Sequence, residues 1–130
     1  MEDKFLDIVQ NKKARFEYEI LETMEAGIVL VGTEVKAIRQ RKVSINEAYG
    51  RIRNGEAYIV GMNISLYEQG NRFNHDPERE RKLLLHAREI KRLTGKLKEK
   101  GLTLVPLKVY FKNGKVKVLL GLGRGKAKYD

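Results

Sequence analysis

The sequence contains no cysteine, only two prolines and only two histidines. Without cysteine the chain can form neither a disulfide nor a thiolate metal site, and it is compatible with a reducing cytosol. No apolar run approaches the eighteen or so residues that a membrane span requires, and the N-terminal segment MEDKFLDIVQ lacks the basic start and long apolar stretch of a signal peptide. We therefore expect a cytoplasmic protein without a membrane segment, a metal site or a cofactor.

Residues suited to catalysis are also scarce. The two histidines, His75 and His86, are eleven residues apart and have no obvious third partner for a metal. His75-Asp76-Pro77 has the residue types of a general-base fragment, but a His-Asp pair before proline is more typical of a turn. His86 falls near the start of a predicted helix, which favours a structural or hydrogen-bonding role. We expect no enzymatic activity.

The glycine-rich segment Gly121–Lys126 resembles a nucleotide-binding loop but fails the test of spacing. A Walker A motif needs glycine at Leu120 and serine or threonine at Ala127, and the dinucleotide fingerprint needs glycine at Lys126. The glycines instead allow the backbone to approach a phosphate chain closely, flanked by basic side chains. The alternative is a strand that frays into a flexible basic terminus.

The positive charge is concentrated in one half of the chain. The net charge is +10; residues 1–65 hold ten Lys/Arg and ten Asp/Glu, whereas residues 66–130 hold seventeen and seven. Such a surplus repels itself unless a polyanion neutralises it, so the pattern favours nucleic-acid binding. The alternative is a basic surface that only confers solubility.

The length of 130 residues fits one domain, which we place at residues 11–130 after a flexible N-terminus, residues 1–10. A basic turn over Asn11–Arg15 leads into an alternating pattern over Phe16–Ile20, which predicts a strand. Gly27 and the apolar run Ile28–Val31 then predict that the chain doubles back as a hairpin. Beyond Gly32, Thr33 is suited to cap a short helix.

Two Asn-Gly pairs predict tight hairpins, at Asn54-Gly55 and Asn113-Gly114. The second predicts three apolar cross-strand pairs on one face, Leu107 with Leu120, Val109 with Val118, and Phe111 with Val116. It also places Lys112 opposite Lys115, which is unfavourable unless the strands splay or an anion lies between them.

The remaining segments are read as a loop followed by a helix. Ser65–Pro77 is rich in chain breakers and predicts a loop, whereas Arg81–Lys100 has an apolar stripe typical of a helix that ends at Gly101. About six short strands with two or three peripheral helices favour a mainly β fold, a small antiparallel barrel of the OB-fold type. An open sheet covered by helices and a ferredoxin-like sandwich remain alternatives.

Basic residues and an asparagine gather before the first predicted strand. Lys12, Lys13 and Arg15 are suited to phosphate contacts, and the amide of Asn11 to a base edge or a 2′-hydroxyl, although an Asx turn with solvated lysines fits equally well. Tyr18 is by default a core aromatic with its hydroxyl at the rim. Glu25 would repel phosphate, so an RNA-facing role requires that it accept from a guanine edge or orient a neighbouring cation.

Three separated motifs in this order resemble the SsrA-binding protein family, small protein B. They are NKKARFEYEILETMEAGIVLVGTEVKAIR from Asn11, HDPERERKLLLHAREI from His75 and GRGKAKYD from Gly123. The resemblance implies an OB-type, non-enzymatic protein that binds the tRNA-like domain of tmRNA. It further implies delivery of the alanylated RNA to stalled ribosomes, with functional links to elongation factor Tu and alanyl-tRNA synthetase. We expect a monomer.

The resemblance also implies RNA-face positions at Asn11, Tyr18, Glu25, Leu84, His86 and Gly125-Lys126. Some relatives carry asparagine where His86 stands, and Ala127 replaces a position that is often lysine. Together with the neighbouring basic and glycine residues, the candidate RNA-binding set is Asn11, Lys12, Lys13, Arg15, Tyr18, Glu25, Gly27, Leu84, His86, Arg124, Gly125, Lys126 and Lys128.

One departure and three rival functions accompany this interpretation. Relatives continue past the Tyr-Asp pair with a basic tail that enters the decoding site, whereas this chain stops at Asp130. Either the chain is trimmed, which we favour, or the protein lacks that function; in both cases we expect it to bind tmRNA without supporting tagging of stalled peptides. The rivals are a generic OB-fold protein that binds structured RNA or the ribosome, an RNA-processing enzyme that uses His75 and Asp76, and a constitutive ribosomal protein.

Overall fold

The computed structural model describes residues 3–126, apart from the side chains of residues 70–72. Its secondary structure is mainly β. The strands are β1 (Phe5–Gln10), β2 (Tyr18–Ile28), β3 (Val43–Ser44), β4 (Tyr49–Arg53), β5 (Glu56–Val60), β6 (Asn63–Ile64), β7 (Arg81–Leu84), β8 (Leu102–Lys112) and β9 (Lys115–Gly125), and the helices are α1 (Lys12–Glu17), α2 (Gly32–Arg39) and α3 (Ala87–Lys96), with a 3₁₀ helix at Glu68–Phe73.

Six of the strands close into a ring. The antiparallel neighbours follow the order β8-β4-β5-β7-β2-β9, and β9 returns to pair with β8. Strand β1 pairs with β8 outside the ring, and β3 pairs with β6 in a separate two-stranded sheet. The ring confirms the predicted mainly β fold with peripheral helices. No helix in the described part of the chain has the length and apolarity of a membrane span.

Apolar side chains fill the ring and form a smaller cluster outside it. The main core includes Ile59, Leu104, Val109, Leu120 and other fully buried aliphatic residues. The second cluster lies beneath α1 and consists of Ala14, Val105 and Leu107, with Tyr18, Ile20 and Leu119 packed against it.

Both Asn-Gly hairpins form as predicted. Asn54 and Asn113 have positive φ angles of 52° and 51°, and the following Gly55 and Gly114 have 76° and 82°, as a type I′ turn requires. The hairpin at Asn54-Gly55 pairs Arg53 with Glu56 and Ile52 with Ala57.

The predicted register of the second hairpin is confirmed near the turn and wrong beyond it. Val109 faces Val118 and Phe111 faces Val116. A bulge between Pro106 and Lys108 then shifts the pairing, so Leu120 faces Pro106. Leu107 is the extra residue and packs beneath α1 instead of inside the ring.

The predicted flexible N-terminus is an ordered strand over most of its length. Strand β1 pairs with β8, with Leu6 opposite Phe111 and Val9 opposite Val109. Arg41 adds to this edge by donating to the backbone oxygens of Asp7 and Ile8 at 2.8 and 3.2 Å. The partner strand lies about a hundred residues further along the chain, so local spacing carried no sign of it.

The predicted hairpin at Gly27 is wrong because β2 is one strand of eleven residues. Ala26 and Gly27 continue the pairing with β9, opposite Val118 and Lys117. Phe16 belongs to α1 rather than to a strand, and the basic turn before it is the first turn of that helix. The predicted helix after Gly32 is confirmed as α2, but its N-cap is Val31, and the predicted cap Thr33 lies within the helix.

The predicted helix over Arg81–Lys100 is wrong in its first third, where β7 forms. Strand β7 pairs with β5, and its Arg81 is fully buried. The Arg81 guanidinium donates to the Glu34 carboxylate at 2.6 Å and to the Met62 oxygen at 2.7 Å. Arg81 has basic and polar neighbours in the sequence, which do not indicate a strand. Its ion-pair partner Glu34, which makes its burial possible, lies 47 residues earlier in the chain.

Glu34 is the centre of this buried ion-pair network. Its carboxylate also accepts from Arg79 at 2.5 and 3.1 Å and from the Val31 backbone N–H at 2.9 Å. Burial alone would raise the pKa of Glu34, but the bonds from Arg79, Val31 and Arg81 outweigh it and lower the pKa. Glu34 thus stays ionised and joins α2 to β7.

Candidate nucleic-acid interface

A bulge in β2 brings Tyr18 and Glu25 onto the same face of the sheet. Met24 and Ala26 point into the ring core, so Glu25 and Gly27 point outward. Tyr18 and Glu25 are seven residues apart and would face opposite sides of a regular strand. The pairing with β9 shifts between Ile20 and Glu22, which restores Tyr18 to the outer side. We call the outward side of β8, β9 and β2 the outer sheet face.

Helix α1 lies over one end of this face and is fixed by Asn11. The Asn11 amide donates to the backbone oxygens of Pro106 at 2.9 Å and Ile45 at 3.2 Å, and its side-chain oxygen accepts from the Ala14 N–H at 3.0 Å. Asn11 is only 2% exposed. Of the two roles considered for Asn11, the structure therefore favours the local capping role over a base contact.

The side chains of α1 point their charge outward. Lys12 and Arg15 are exposed, and Lys13 donates to Glu47 at 2.7 Å. The bond and the charge of Glu47 raise the pKa of Lys13. Phe16 is the most exposed large apolar side chain in the described residues, at 82%. The alternating sequence pattern predicted a strand at Phe16, so it did not indicate an apolar ring exposed to water beside cations.

Where α1, β2 and β9 meet, they enclose a groove of about 600 Å³. The backbone N–H of Lys126 donates to the Glu17 oxygen at 2.9 Å, which ties the end of β9 to α1. Among the described residues, the lining includes three cationic side chains and one carboxylate. We call this site the basic groove; its lining is Arg15, Tyr18, Glu19, Ile20, Arg124, Gly125 and Lys126.

Gly123 beside the basic groove leaves room for the Tyr18 ring. A Cβ added at Gly123 would lie 2.9 Å from the Tyr18 Cβ and 3.2 Å from its ring. No real Cβ tolerates the first distance, so a side chain here would displace Tyr18. Tyr18 itself is half-buried against the cluster under α1.

Glu25 lies near the other end of β2 and is held by two residues of β8. Its Oε2 accepts from the Tyr110 hydroxyl at 2.5 Å, and its Oε1 accepts from the Lys112 ammonium at 3.3 Å. The bond from Tyr110, with the bond and charge of Lys112 and the charge of Lys117, lowers the pKa of Glu25. Lys112 therefore has a carboxylate neighbour, which offsets its repulsion with Lys115.

Gly27 and Leu84 are direct neighbours in the β2–β7 pair. A Cβ added at Gly27 would lie 3.3 Å from the Leu84 Cβ, so the glycine allows the leucine to lie flat on the strand. Leu84 is nevertheless 52% exposed. His86 follows at the start of α3, where its backbone N–H donates to Glu89 at 3.0 Å and its side chain is exposed.

The candidate residues thus form two groups at opposite ends of β2. Nine residues separate Tyr18 in the first group from Gly27 in the second, which corresponds to about 30 Å along the strand. The first group contains α1 and the basic groove, and the second contains Glu25, Gly27, Leu84 and His86. Lys128 lies outside the described residues.

Several residues of this surface were missed by the sequence analysis. Tyr110 and Lys112 contact Glu25 across the intervening β9, and Lys117 lies opposite Gly27. Of these residues the sequence analysis placed only Lys112, opposite Lys115, and that pair is confirmed. The approach of β8 to β2 depends on ring closure, which the local pattern does not specify.

His75 has a structural position rather than a catalytic one. It is 9% exposed, its Nε2 donates to the Ile64 backbone oxygen at 2.8 Å, and its Nδ1 lies 2.8 Å from the Thr33 hydroxyl. A carbonyl oxygen only accepts, so the proton is on Nε2, and Nδ1 accepts from Thr33 in the neutral ring. Both ring nitrogens are occupied, which argues against a general base formed with Asp76.

The model of the SmpB protein family matches residues 8–130 of this chain. The chain belongs to the SmpB family. Its SmpB relatives include the SsrA-binding protein of Acetivibrio thermocellus, which is 61% identical over 123 residues, covering 95% of this chain and 80% of the relative. The SsrA-binding protein of Thermosynechococcus vestitus is 57% identical over 131 aligned positions, covering 100% of this chain and 86% of that protein.

A solved SmpB structure has a similar fold. It is described as "tmRNA-SmpB: a journey to the center of the bacterial ribosome", and it superposes with a TM-score of 0.78 at 53% sequence identity. The match covers 96% of this chain and 88% of the other.

Proposed function

We propose that this chain binds the tRNA-like domain of tmRNA and helps to deliver that RNA to stalled ribosomes in trans-translation. The observation that carries the proposal is the outer sheet face, where a bulge gathers Tyr18, Glu25 and Gly27 on one side. The SsrA-binding relatives and the tmRNA-SmpB structure support the choice of RNA.

The basic groove supplies the phosphate contacts in this function. Arg15, Arg124 and Lys126 border a concave site large enough for one nucleotide. The exposed ring of Phe16 provides an apolar surface on which a base can stack, and such stacking is tolerant of sequence. Asn11 acts by holding α1 in place instead of touching RNA.

The second group supplies contacts of a different kind. Leu84 offers an exposed apolar surface to a ribose or base, and His86 beside it can hydrogen-bond. Glu25 accepts from N–H groups of a base edge, since a carboxylate only repels phosphate. The two groups together favour a folded RNA over a short single strand, because they lie about 30 Å apart along β2.

The partners and setting follow from the same proposal. Alanyl-tRNA synthetase and elongation factor Tu act on the same RNA, and the chain works with them as a cytoplasmic monomer without enzymatic activity of its own. The occupied nitrogens of His75 support the last point.

A binding competition tests the proposed function. The tRNA-like fragment of tmRNA and a duplex RNA of equal length are titrated against the chain at the same ionic strength, since affinities at different salt are not comparable. We expect tighter binding to the tRNA-like fragment by at least about tenfold, equivalent to about 1.4 kcal/mol. Equal affinity would favour the generic OB-fold alternative and refute recognition of the tRNA-like fold.

A further inference from the structure

Two residues of another strand, β8, determine where the Glu25 carboxylate points. Each carboxylate oxygen has one donor from β8, the Tyr110 hydroxyl at 2.5 Å and the Lys112 ammonium at 3.3 Å. Strand β9 lies between β2 and β8, so these bonds reach across a whole strand. A carboxylate held at both oxygens cannot rotate freely as an ordinary surface glutamate does.

Tyr110 and Lys112 are themselves held by the N-terminal segment. The Phe5 ring of β1 packs against the Tyr110 ring with centroids 6.0 Å apart, and the Lys112 ammonium lies 5.8 Å from the Phe5 centroid. Asp3 lies 3.8 Å from the same ammonium. Tyr110 is only 5% exposed, so its hydroxyl proton serves Glu25 and not a bound ligand.

The Glu25 side chain remains accessible despite these bonds, since it is 34% exposed. Each oxygen of a carboxylate can accept a second hydrogen bond. The site therefore presents fixed acceptor positions to an incoming donor, next to the positive charges of Lys112 and Lys117. These cations reduce the repulsion that an isolated carboxylate would exert on phosphates nearby.

We propose that Tyr110 is a positioning residue, which orients the Glu25 carboxylate to accept hydrogen bonds from the N–H edge of a base in the bound RNA. The inference rests on the proposed function and names a residue through which the RNA-binding surface acts. Lys112 assists by fixing the other carboxylate oxygen.

Protonation provides a readout that separates this role from a general structural one. The groups facing Glu25 are Tyr110 and Lys112 of β8 and Lys117 of β9, and Asp3 and Asp7 approach Lys112 and Tyr110 from the N-terminal side. The pKa of Glu25 is lowered mainly by the bond from Tyr110. Loss of that bond raises the pKa of Glu25. In a Tyr110→Phe variant the Glu25 carboxylate is therefore protonated, and stops accepting, at a higher pH than in the unaltered chain.

The experiment measures affinity for the tRNA-like fragment in a double-mutant cycle between pH 7 and pH 4.5. At pH 7 we expect Glu25→Gln to weaken binding by about tenfold or more and Tyr110→Phe to weaken it by about three- to tenfold. Adding Tyr110→Phe to the Glu25→Gln variant should cause no further loss, because the hydroxyl acts through the carboxylate. The deficit of Tyr110→Phe should grow as the pH falls toward 5.

A matched control exists elsewhere in the ring. The Tyr58 hydroxyl donates to the Glu56 carboxylate at 2.9 Å, and Lys82 donates to the same carboxylate at 2.9 Å. Tyr58→Phe therefore removes the same kind of bond from the same kind of cluster and should leave RNA affinity unchanged.

The outcomes are distinguishable. Tyr110→Phe binding like the unaltered chain, or losses that multiply when the two substitutions are combined, would overturn the positioning role while leaving the proposed function intact. An unaltered chain that does not prefer the tRNA-like fragment would overturn both.

Discussion

Loss of the two cations at the end of β9 gives a quantitative test of the basic groove. Arg124 and Lys126 both line it, and neither has a carboxylate within ion-pair distance in the described part of the chain. If each contacts one phosphate, replacing both by glutamine should flatten the slope of log K against log salt by about 1.4–1.8. The same relation predicts a loss of affinity of about 15- to 30-fold at 0.15 M salt, which vanishes toward 1 M.

The assay is a salt titration of binding to the tRNA-like fragment, with a control of equal charge change. Lys36 and Lys42 are exposed and lie in and after α2, beyond the far end of β2 from the groove. The Lys36→Gln/Lys42→Gln variant should retain the slope of the unaltered chain. Equal flattening by the two double variants would mean that net charge, and not the groove, attracts the RNA, and the reasoning would fail.

Three further substitutions test other parts of the structure. Phe16→Ala should weaken RNA binding by about 1–3 kcal/mol if a base stacks on the ring, with an unchanged melting temperature because the ring is exposed; unchanged affinity would exclude stacking. Gly123→Ala should displace Tyr18 and weaken binding, and a crystal structure of the variant with Tyr18 unmoved would contradict this. Arg81→Met leaves Glu34 with one fewer partner and should cost about 3–5 kcal/mol, or roughly 10–20 °C in melting temperature, when measured by calorimetry; a loss below about 1 kcal/mol would refute it. Because the pKa of Glu34 is lowered in the folded state, ionised Glu34 stabilises the fold at neutral pH, and this stabilisation is lost as the pH falls through the folded-state pKa. The free energy of unfolding of the variant should therefore depend less on acid.

The sequence specified the local features of this fold better than its distant pairings. Both Asn-Gly turns were predicted because the positive φ angles depend on two adjacent residues. The bulges at Leu21 and Leu107 were not, since each is defined only by pairing with β9. Strand β7 was mistaken for helix because the partner that makes a buried Arg81 tolerable is Glu34, far earlier in the chain.

The candidate site shows the same division. The resemblance identified residues of both groups, and the glycine-rich segment pointed to the Gly125–Lys126 end of the groove. The capping role of Asn11 was one of two alternatives, and its amide bonds to Pro106 and Ile45 favour that role. The residues that hold Glu25 could not be predicted from sequence because they reach it across an intervening strand.

The position of β9 in the ring constrains how the protein can fold as it is made. This strand pairs with β2 on one side and β8 on the other, so Tyr18 meets its partner Gly125 only after more than a hundred further residues have been synthesised. Until then β2 has an open edge along most of its length, a state that invites mispairing. Closure at the last strand implies slow, all-or-none folding dominated by long-range contacts, and nascent chains halted before residue 115 should depend on chaperones to remain dispersed.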